Sequence, residues 1–145
     1  MSIFDGLEIN TSGLALERLK MDTISTNIAN VNTSQTAEGG AYKSKSVLFS
    51  ENVKNVSDSS SATDENGQMS YGVKVDGIQE DDSVKRVYDP TDSNADSNGY
   101  VETSNVDLSD QMVDMIQTMR TYEADESVAE DNKDILKSAL DISKG

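Results

Sequence analysis

Near the start of the chain, large apolar residues recur every seven positions and form a row. Further apolar residues lie three positions after members of this row. The spacing predicts an α-helix from Phe4 to about Asn30, close to a coiled-coil seam, although Asn10 and Glu17 occupy matching positions. Because residues 11–13 (TSG) are weak helix formers, we expect this helix to be firm only against a partner. The row consists of Leu7, Leu14, Met21, Ile24, Ile28 and Val31.

The C-terminal part carries a similar row over a greater length. Alternating steps of four and three predict a coiled-coil helix over about residues 105–143, interrupted at Glu126 and Lys133. Ser104 and Asp107 have the spacing of a capping box, which predicts that the helix starts there. The row consists of Leu108, Met112, Met115, Met119, Tyr122, Ala129, Leu136 and Leu140, and a second row adds Val128, Ile135 and Ile142.

The central part shows strand patterns. Residues 71–75 (YGVKV) alternate between large apolar and other side chains, which predicts a half-buried strand. Residues 84–88 (VKRVY) predict a second short strand after a turn at 81–83, and residues 47–49 (VLF) are a candidate third. We therefore expect a small β-ribbon between the two helices.

Two polar segments complete this organisation. Residues 55–70 and 89–99 are rich in Ser, Asn, Asp and Gly, and both are predicted to be loops. The predicted fold is mainly α: long N- and C-terminal helices form a coiled coil, with a small β-ribbon and a flexible acidic loop between them. Three regions follow, at 1–34, 35–104 and 105–145.

Composition limits the core and the partners. Only 34% of the residues are hydrophobic, 5% are aromatic and Trp is absent, so we expect a small core and helices that bury their apolar rows on something else. The net charge of −15 argues against binding to nucleic acids or anionic membranes. The sequence contains no apolar run long enough to cross a membrane. Its first residues lack the features of a cleavable signal peptide, so export would use another route.

The residue types argue against catalysis. Cys and His are both absent, which removes the usual nucleophile–base pairs and the commonest transition-metal ligands. No phosphate-binding loop is found, and the 27 acidic residues single out no carboxylate pair for a hydrolase. A calcium loop that starts at Asp92 or at Asn94 fails at a required position in either register. We therefore predict no enzymatic activity, no cofactor and no dedicated metal site; a weak, adventitious cation site at 92–98 stays open.

An unusual cluster of amides ends the first predicted helix. In STNIANVNTS, residues 25–34, Asn27, Asn30 and Asn32 stand together with Thr33. A helix C-terminus followed by a loop explains one or two asparagines, since Asn tolerates the left-handed backbone conformation. Amides at this spacing can also bond free carbonyls of the last turn and groups on a neighbouring chain.

The same segment carries a family resemblance. NIANVNT at 27–33, together with the segments at 36–49, 71–101 and 105–128, resembles the flagellar axial proteins, the subunits of the rod and hook. The match is to the proximal rod proteins of the basal body, and it spans nearly the whole chain in the same order. The acidic segment at 55–70 lies outside it.

The resemblance implies a structural subunit of the bacterial flagellar basal-body rod. Such subunits assemble through their terminal helices into a helical tube that crosses the periplasm, transmits torque and conducts export. They leave the cell through a flagellar type III export apparatus without signal cleavage. The implied partners are copies of the chain, other rod proteins and this apparatus, with no nucleic acid and no membrane insertion. The implied subunit interface combines the N-terminal row without Val31, and the first C-terminal row from Leu108 to Leu140, with Asn27, Asn30, Asn32 and Thr33.

Two alternatives to this interpretation remain. A freestanding helical binding module or export chaperone would be helical as a free monomer and would bind a client stoichiometrically. Within the rod class, a sister proximal rod protein is the main rival. The block from Gly99-Tyr100-Val101 to Asn105-Val106 argues against that rival.

Overall fold

The computed structural model describes residues 3–55 and 68–144, in which two long helices stand at the two ends. Helix α1 spans Ile3–Ala29 and helix α2 spans Leu108–Lys144. Four strands lie between them in sequence: β1 (Lys45–Asn55), β2 (Gln68–Glu80), β3 (Lys85–Tyr88) and β4 (Tyr100–Thr103). The two predicted helices are confirmed. Most of the predicted 55–70 loop, residues 56–67, lies outside the described residues.

Helix α2 begins later than the capping-box pattern predicted. Asp107 is the N-cap, since its Oδ1 accepts hydrogen bonds from the amides of Ser109 (2.8 Å) and Asp110 (3.3 Å). Ser104 accepts only from the amide of Val106, at 3.3 Å, and is not the cap. The prediction was wrong by one helical turn because Ser104 and Asp107 are both good capping residues, and the spacing alone does not choose between them.

The strands form two separate antiparallel ribbons. β1 pairs with β2 along its whole length, and β3 pairs with β4. The predicted loop at 55–70 was therefore too long at both ends, and the predicted turn at 81–83 connects the two ribbons instead of closing a hairpin. The fold is thus a mixture of two helices and small antiparallel sheets, and the prediction of a mainly α fold holds only in part.

The two helices pack against each other in opposite directions. Asn27 contacts Gln111, and the Cα of Gly13 faces the carboxylate of Asp125, so the end of α1 lies beside the start of α2. The side chains of α2 that are withdrawn from solvent recur in alternating steps of four and three. They are Gln111, Met115, Thr118, Tyr122, Asp125, Ala129, Asn132 and Leu136. Polar and apolar members alternate, so this seam (the α2 seam) is half polar.

The buried core is small, as the composition predicted. Its apolar members are Leu16 and Ile24 of α1, together with Tyr42, Val101 and Val106 from the segments around the strands. Many large apolar side chains are instead exposed. Those on α2 are Leu108, Met112, Val113, Ile116, Met119, Val128, Ile135, Leu140 and Ile142.

Gly72 allows the β1–β2 ribbon to lie directly on α1. Its φ is +92°, in the left-handed region, and it sits where the strand register shifts between Glu51 and Val53. A Cβ built on Gly72 would lie 2.3 Å from Ser12 Oγ and 3.2 Å from the Cα of Ile9. The neighbouring amide of Val73 donates to the same Ser12 Oγ at 3.2 Å. Both the backbone conformation and the close approach therefore require glycine.

We expect Gly72→Ala to destabilise the protein by about 2 kcal/mol, because alanine adds a left-handed conformational penalty to a clash with α1. Urea unfolding followed by circular dichroism measures this loss. Gly77→Ala is the matched control, since no atom lies within 4 Å of its added Cβ. Equal unfolding midpoints for the two variants would contradict the close contact at Gly72.

Candidate assembly interface

The side chain of Asn27 is the most completely enclosed polar group near the end of α1, at 2% exposed. Its Nδ2 donates to the carbonyl of Lys45 and to Gln111 Oε1, both at 2.8 Å. Its Oδ1 accepts from Tyr42 Oη at 3.0 Å and from the amide of Lys45 at 2.9 Å. All four hydrogen-bonding positions of this amide are thus filled within the chain.

This one side chain joins three parts of the fold. It links the last turn of α1 to the start of β1 through Lys45 and to the start of α2 through Gln111. Tyr42 lies at the same junction and is itself buried, and burial raises the pKa of its hydroxyl above the usual value. The amide of Asn27 therefore fixes the positions from which both helices leave the junction.

The other residues of the amide cluster, Asn30, Asn32 and Thr33, are more exposed than Asn27. Asn30 Nδ2 donates to the carbonyl of Thr26 at 2.9 Å, and its Oδ1 accepts from Thr33 Oγ1 at 3.2 Å. These bonds cap the C-terminal end of α1, and the first is an amide-to-carbonyl bond in the last turn of the kind that the spacing suggested. Asn32 is exposed, and Asn30 and Thr33 are only partly buried. These three side chains lie at the surface of the junction.

Asn105 has a comparable structural role that the sequence analysis did not assign to it. Its Oδ1 accepts from the amide of Ser44 at 2.7 Å, and its Nδ2 donates to the carbonyl of Asp81 at 3.1 Å and to Ser83 Oγ at 3.0 Å. It thus connects the beginning of β1 and the end of β2 to the segment that leads into α2. The sequence placed Asn105 at the start of the predicted helix and in the block that argues against a sister rod protein, and neither feature indicated these bonds.

The apolar rows divide between the interior and the surface. On α1, Ile24 is buried, and Leu7, Leu14, Met21 and Ile28 are partly buried. On α2, four members of the predicted row belong to the α2 seam that faces α1: Met115, Tyr122, Ala129 and Leu136. The other four are exposed by 44% to 60%: Leu108, Met112, Met119 and Leu140.

The β1–β2 ribbon also presents an apolar face. Residues directly opposite each other in the register share a face, so Phe49 and Val75 lie side by side, and Val47 lies beside Ile78. Phe49 is 49% exposed although the Lys20 ammonium lies 4.6 Å from its ring centroid. This face is therefore covered only in part by α1.

A cleft of about 320 Å³ lies between α1, β1 and α2. Its lining includes Glu17, Lys20, Thr118 and Gln111, and Lys20 Nζ is paired with Glu17 Oε1 at 2.7 Å. The lining also includes Lys45 and the carboxylate of Asp114, together with neutral hydrogen-bonding groups.

In the loop at 89–99, aspartate side chains accept hydrogen bonds from backbone amides of the same loop and so fix its conformation. Asp96 Oδ1 accepts from the amides of Asn98 (2.7 Å) and Tyr100 (3.0 Å), and these bonds hold the pKa of Asp96 below its usual value. Asp89 makes an equivalent turn with Thr91, whose hydroxyl and amide likewise lower the Asp89 pKa.

Within the described residues, no group of three or more acidic side chains is placed to hold a metal ion. In that same part of the chain, neither helix is long and apolar enough to span a membrane.

Comparison with known proteins identifies relatives over the full length. The family model described as "Flagella basal body rod protein" matches residues 7–34, and "Flagellar basal body rod FlgEFG protein C-terminal" matches residues 97–142. Flagellar basal-body rod protein FlgC of Borreliella burgdorferi is 39% identical, with 100% of both chains covered. The proteins of the same name from Bacillus subtilis and Aquifex aeolicus are 37% and 33% identical, and 99% or more of each chain is covered.

Proposed function

Because this chain belongs to the family of the flagellar basal-body rod protein FlgC, we propose that it assembles through its terminal helices into the helical tube of the rod. The chain is a structural subunit of the bacterial flagellar basal-body rod and not an enzyme.

The observation that carries the proposal is the apolar surface left on α2. Nine large apolar side chains of this helix are exposed, whereas the buried apolar core among the described residues has only five members. Covering the exposed half of a side chain such as Leu140 contributes about 1 kcal/mol. A surface of this size on a long helix is typical of a protein that completes its packing in an assembly.

Within the subunit, we propose that α1 and α2 form a coiled coil. The alternating steps of the α2 seam and the opposite directions of the two helices support this pairing. Its polar members, Gln111, Thr118, Asp125 and Asn132, are suited to setting the register between the helices. The segment at 35–104 would then form an outer part carried by the helical pair of regions 1–34 and 105–145.

Between subunits, the contacts would come from surfaces that the single chain leaves open. The exposed residues Leu108, Met112, Met119 and Leu140 would bury their side chains against neighbours. Asn30, Asn32 and Thr33 lie at the surface, where they can bond a neighbouring chain. The partly buried residues Leu7, Leu14, Met21 and Ile28, with buried Ile24 and Asn27, would support these contacts from below.

The tube would transmit torque across the periplasm and conduct exported proteins. Its partners are other rod components, and we propose that copies of the chain itself and the flagellar type III export apparatus are among its contacts. The sequence resemblance supports export without a cleaved signal peptide. The alternative of a freestanding helical binding module or export chaperone has no support in the relatives, whose names are those of rod proteins.

A single introduced cysteine tests this proposal, since the natural chain has none. In purified basal bodies, Leu140→Cys should cross-link to neighbouring rod subunits through a short thiol-to-amine reagent, because this exposed side chain would lie at a subunit contact. Asp82→Cys is the control: the Asp82 side chain is 86% exposed and lies on the connection between the two ribbons. Absence of cross-links from Leu140→Cys, or absence of the chain from basal bodies, would refute the proposal.

A further inference from the structure

One line of side chains on α2 is apolar in its first half and acidic in its second half. Leu108, Met112, Ile116 and Met119 follow one another in steps of four and three, so they lie on one side of the helix, next to the α2 seam. They are 44%, 53%, 52% and 47% exposed. The same steps continue to Glu123, Glu126 and Glu130, which are also exposed. We name these seven residues the outer row.

The second half of the outer row is a concentrated negative charge. Between residues 108 and 132 the helix has one cation, Arg120, against seven carboxylates. The next basic residues on the same line are Lys133, three residues after Glu130, and Lys137, which is paired with Asp134 at 2.9 Å; both lie beyond the three glutamates. A partner that covers the outer row therefore meets an apolar half and then three glutamates.

A second copy of this chain is a poor occupant. The exposed positions of α1, such as Glu8, Thr11, Ala15 and Arg18, carry no large apolar side chain. Two α2 helices side by side in the same direction would place the three glutamates of one against those of the other. With a net charge of −15 on each chain, such a contact would be repulsive over a longer range as well.

The apolar face of the β1–β2 ribbon does not supply the missing positive charge either. Among the side chains that the structure describes, three lysines lie near this face, and each is paired within its own chain. Lys20 bonds Glu17 at 2.7 Å, Lys45 bonds Glu80 at 3.0 Å, and Lys74 lies 3.4 Å from Asp76. A copy docked through this face would have to break those pairs to meet the glutamates of the outer row.

We propose that the outer row docks a helix of a different rod protein, one whose apolar row is followed by lysines or arginines. This inference rests on the proposed function, and it adds the chemistry of one neighbour. Burial of the four apolar residues would provide affinity, and the glutamates would select for a basic helix and fix its direction. The acidity of the chain then has a role in excluding copies of itself from this surface.

Two synthetic helical peptides test the selectivity. Both carry leucines in steps of three and four, followed on the same face by three lysines in one peptide and three glutamates in the other. The purified full chain should bind the lysine peptide at least tenfold more tightly than the glutamate peptide at low salt. The preference should fall severalfold in 0.5 M salt, because exposed charge pairs are screened. Fluorescence anisotropy of labelled peptides measures both affinities.

Charge reversal on the outer row separates this site from a general effect of net charge. Glu126→Lys with Glu130→Lys should abolish the preference for the lysine peptide or reverse it. Glu8→Lys with Asp22→Lys makes the same charge change on the exposed side of α1 and should leave the preference intact. Circular dichroism of each double variant verifies that the helices are retained.

Three outcomes would overturn the inference. They are equal binding of the two peptides, loss of the preference in the α1 double variant as well, and dimerisation of the chain that Met112→Ser abolishes. The last would identify a second copy as the occupant. Cross-linking of Leu140→Cys in basal bodies tests the proposed function independently. If the peptide test failed but the cross-links still formed, only the proposal of a basic partner helix would be refuted.

Discussion

Replacing Asn27 with alanine should lower the free energy of unfolding by about 3 kcal/mol, more than any other single amide in the chain. The substitution leaves four groups without their partner: the hydroxyl of Tyr42, the amide and carbonyl of Lys45, and Gln111 Oε1. Asn27 is 2% exposed, so water cannot replace these bonds without local opening of the junction. Urea unfolding followed by circular dichroism at 222 nm measures the loss.

Two variants control the interpretation of Asn27→Ala. Asn32→Ala removes the same side chain from an exposed position five residues away and should change stability by less than about 0.5 kcal/mol. Asn27→Asp retains the acceptor that Tyr42 and Lys45 use but loses both donors, so it should also be strongly destabilising. If Asn27→Ala unfolded at the same urea concentration as Asn32→Ala, the junction would not depend on this amide.

The sequence predicted the helices well because their signal is local and repeated. The apolar row of α1 and the longer row of α2 each extend over several turns, and the observed bounds, Ile3–Ala29 and Leu108–Lys144, agree with the predicted ones to within about one turn. The start of α2 was predicted one turn too early because a cap depends on which of two nearby side chains reaches the free amides. Asp107 makes those bonds, and Ser104 does not.

The strands were predicted less completely because their partners are distant in sequence. The 71–75 pattern identified β2, but nothing local showed that it pairs with β1 and extends to Gln68 and Glu80. β4 has only four residues, Tyr100–Thr103, and follows a loop rich in turn residues, so it gave no usable alternation. Its pairing with β3, including an edge-on contact between Tyr88 and Tyr100, depends on the loop at 89–99 bringing the two segments together.

The candidate interface shows the same limit of sequence reasoning. The asparagine cluster at 27–33 was recognisable as unusual, but sequence could not separate Asn27, whose amide is fully bonded within the chain, from the exposed Asn32. The heptad row of α2 likewise did not reveal which of its members face α1. That division depends on the rotation of the helix about its axis, which the long-range contacts of Gln111 with Asn27 and of Asp125 with Gly13 help to set.

The rotation of α2 about its axis turns Ala129 toward α1, so we expect Ala129→Glu to lower stability strongly. Ala129 is partly buried in the α2 seam, four residues after Asp125, whose Oδ2 would lie 3.0 Å from a Cβ added at Gly13 of α1. A glutamate there would add a second carboxylate next to Asp125 in the interface between the helices, and we expect it to lower the free energy of unfolding by about 2 kcal/mol. Cells that carry only this variant should fail to swim on soft agar, while secretion of the protein, which does not need the assembled helical pair, continues.

Whether a new carboxylate on α2 lowers the stability of the protein should depend on which side of the helix carries it. Ala124→Glu makes the identical change at an exposed position outside the α2 seam, and the purified variant should unfold at nearly the wild-type urea concentration. If Ala129→Glu also unfolded at that concentration and its cells built normal rods, contact between the two helices would not be what orders them. The apolar rows would then owe their burial to neighbouring subunits alone, and the α2 seam would lose its role in setting the register.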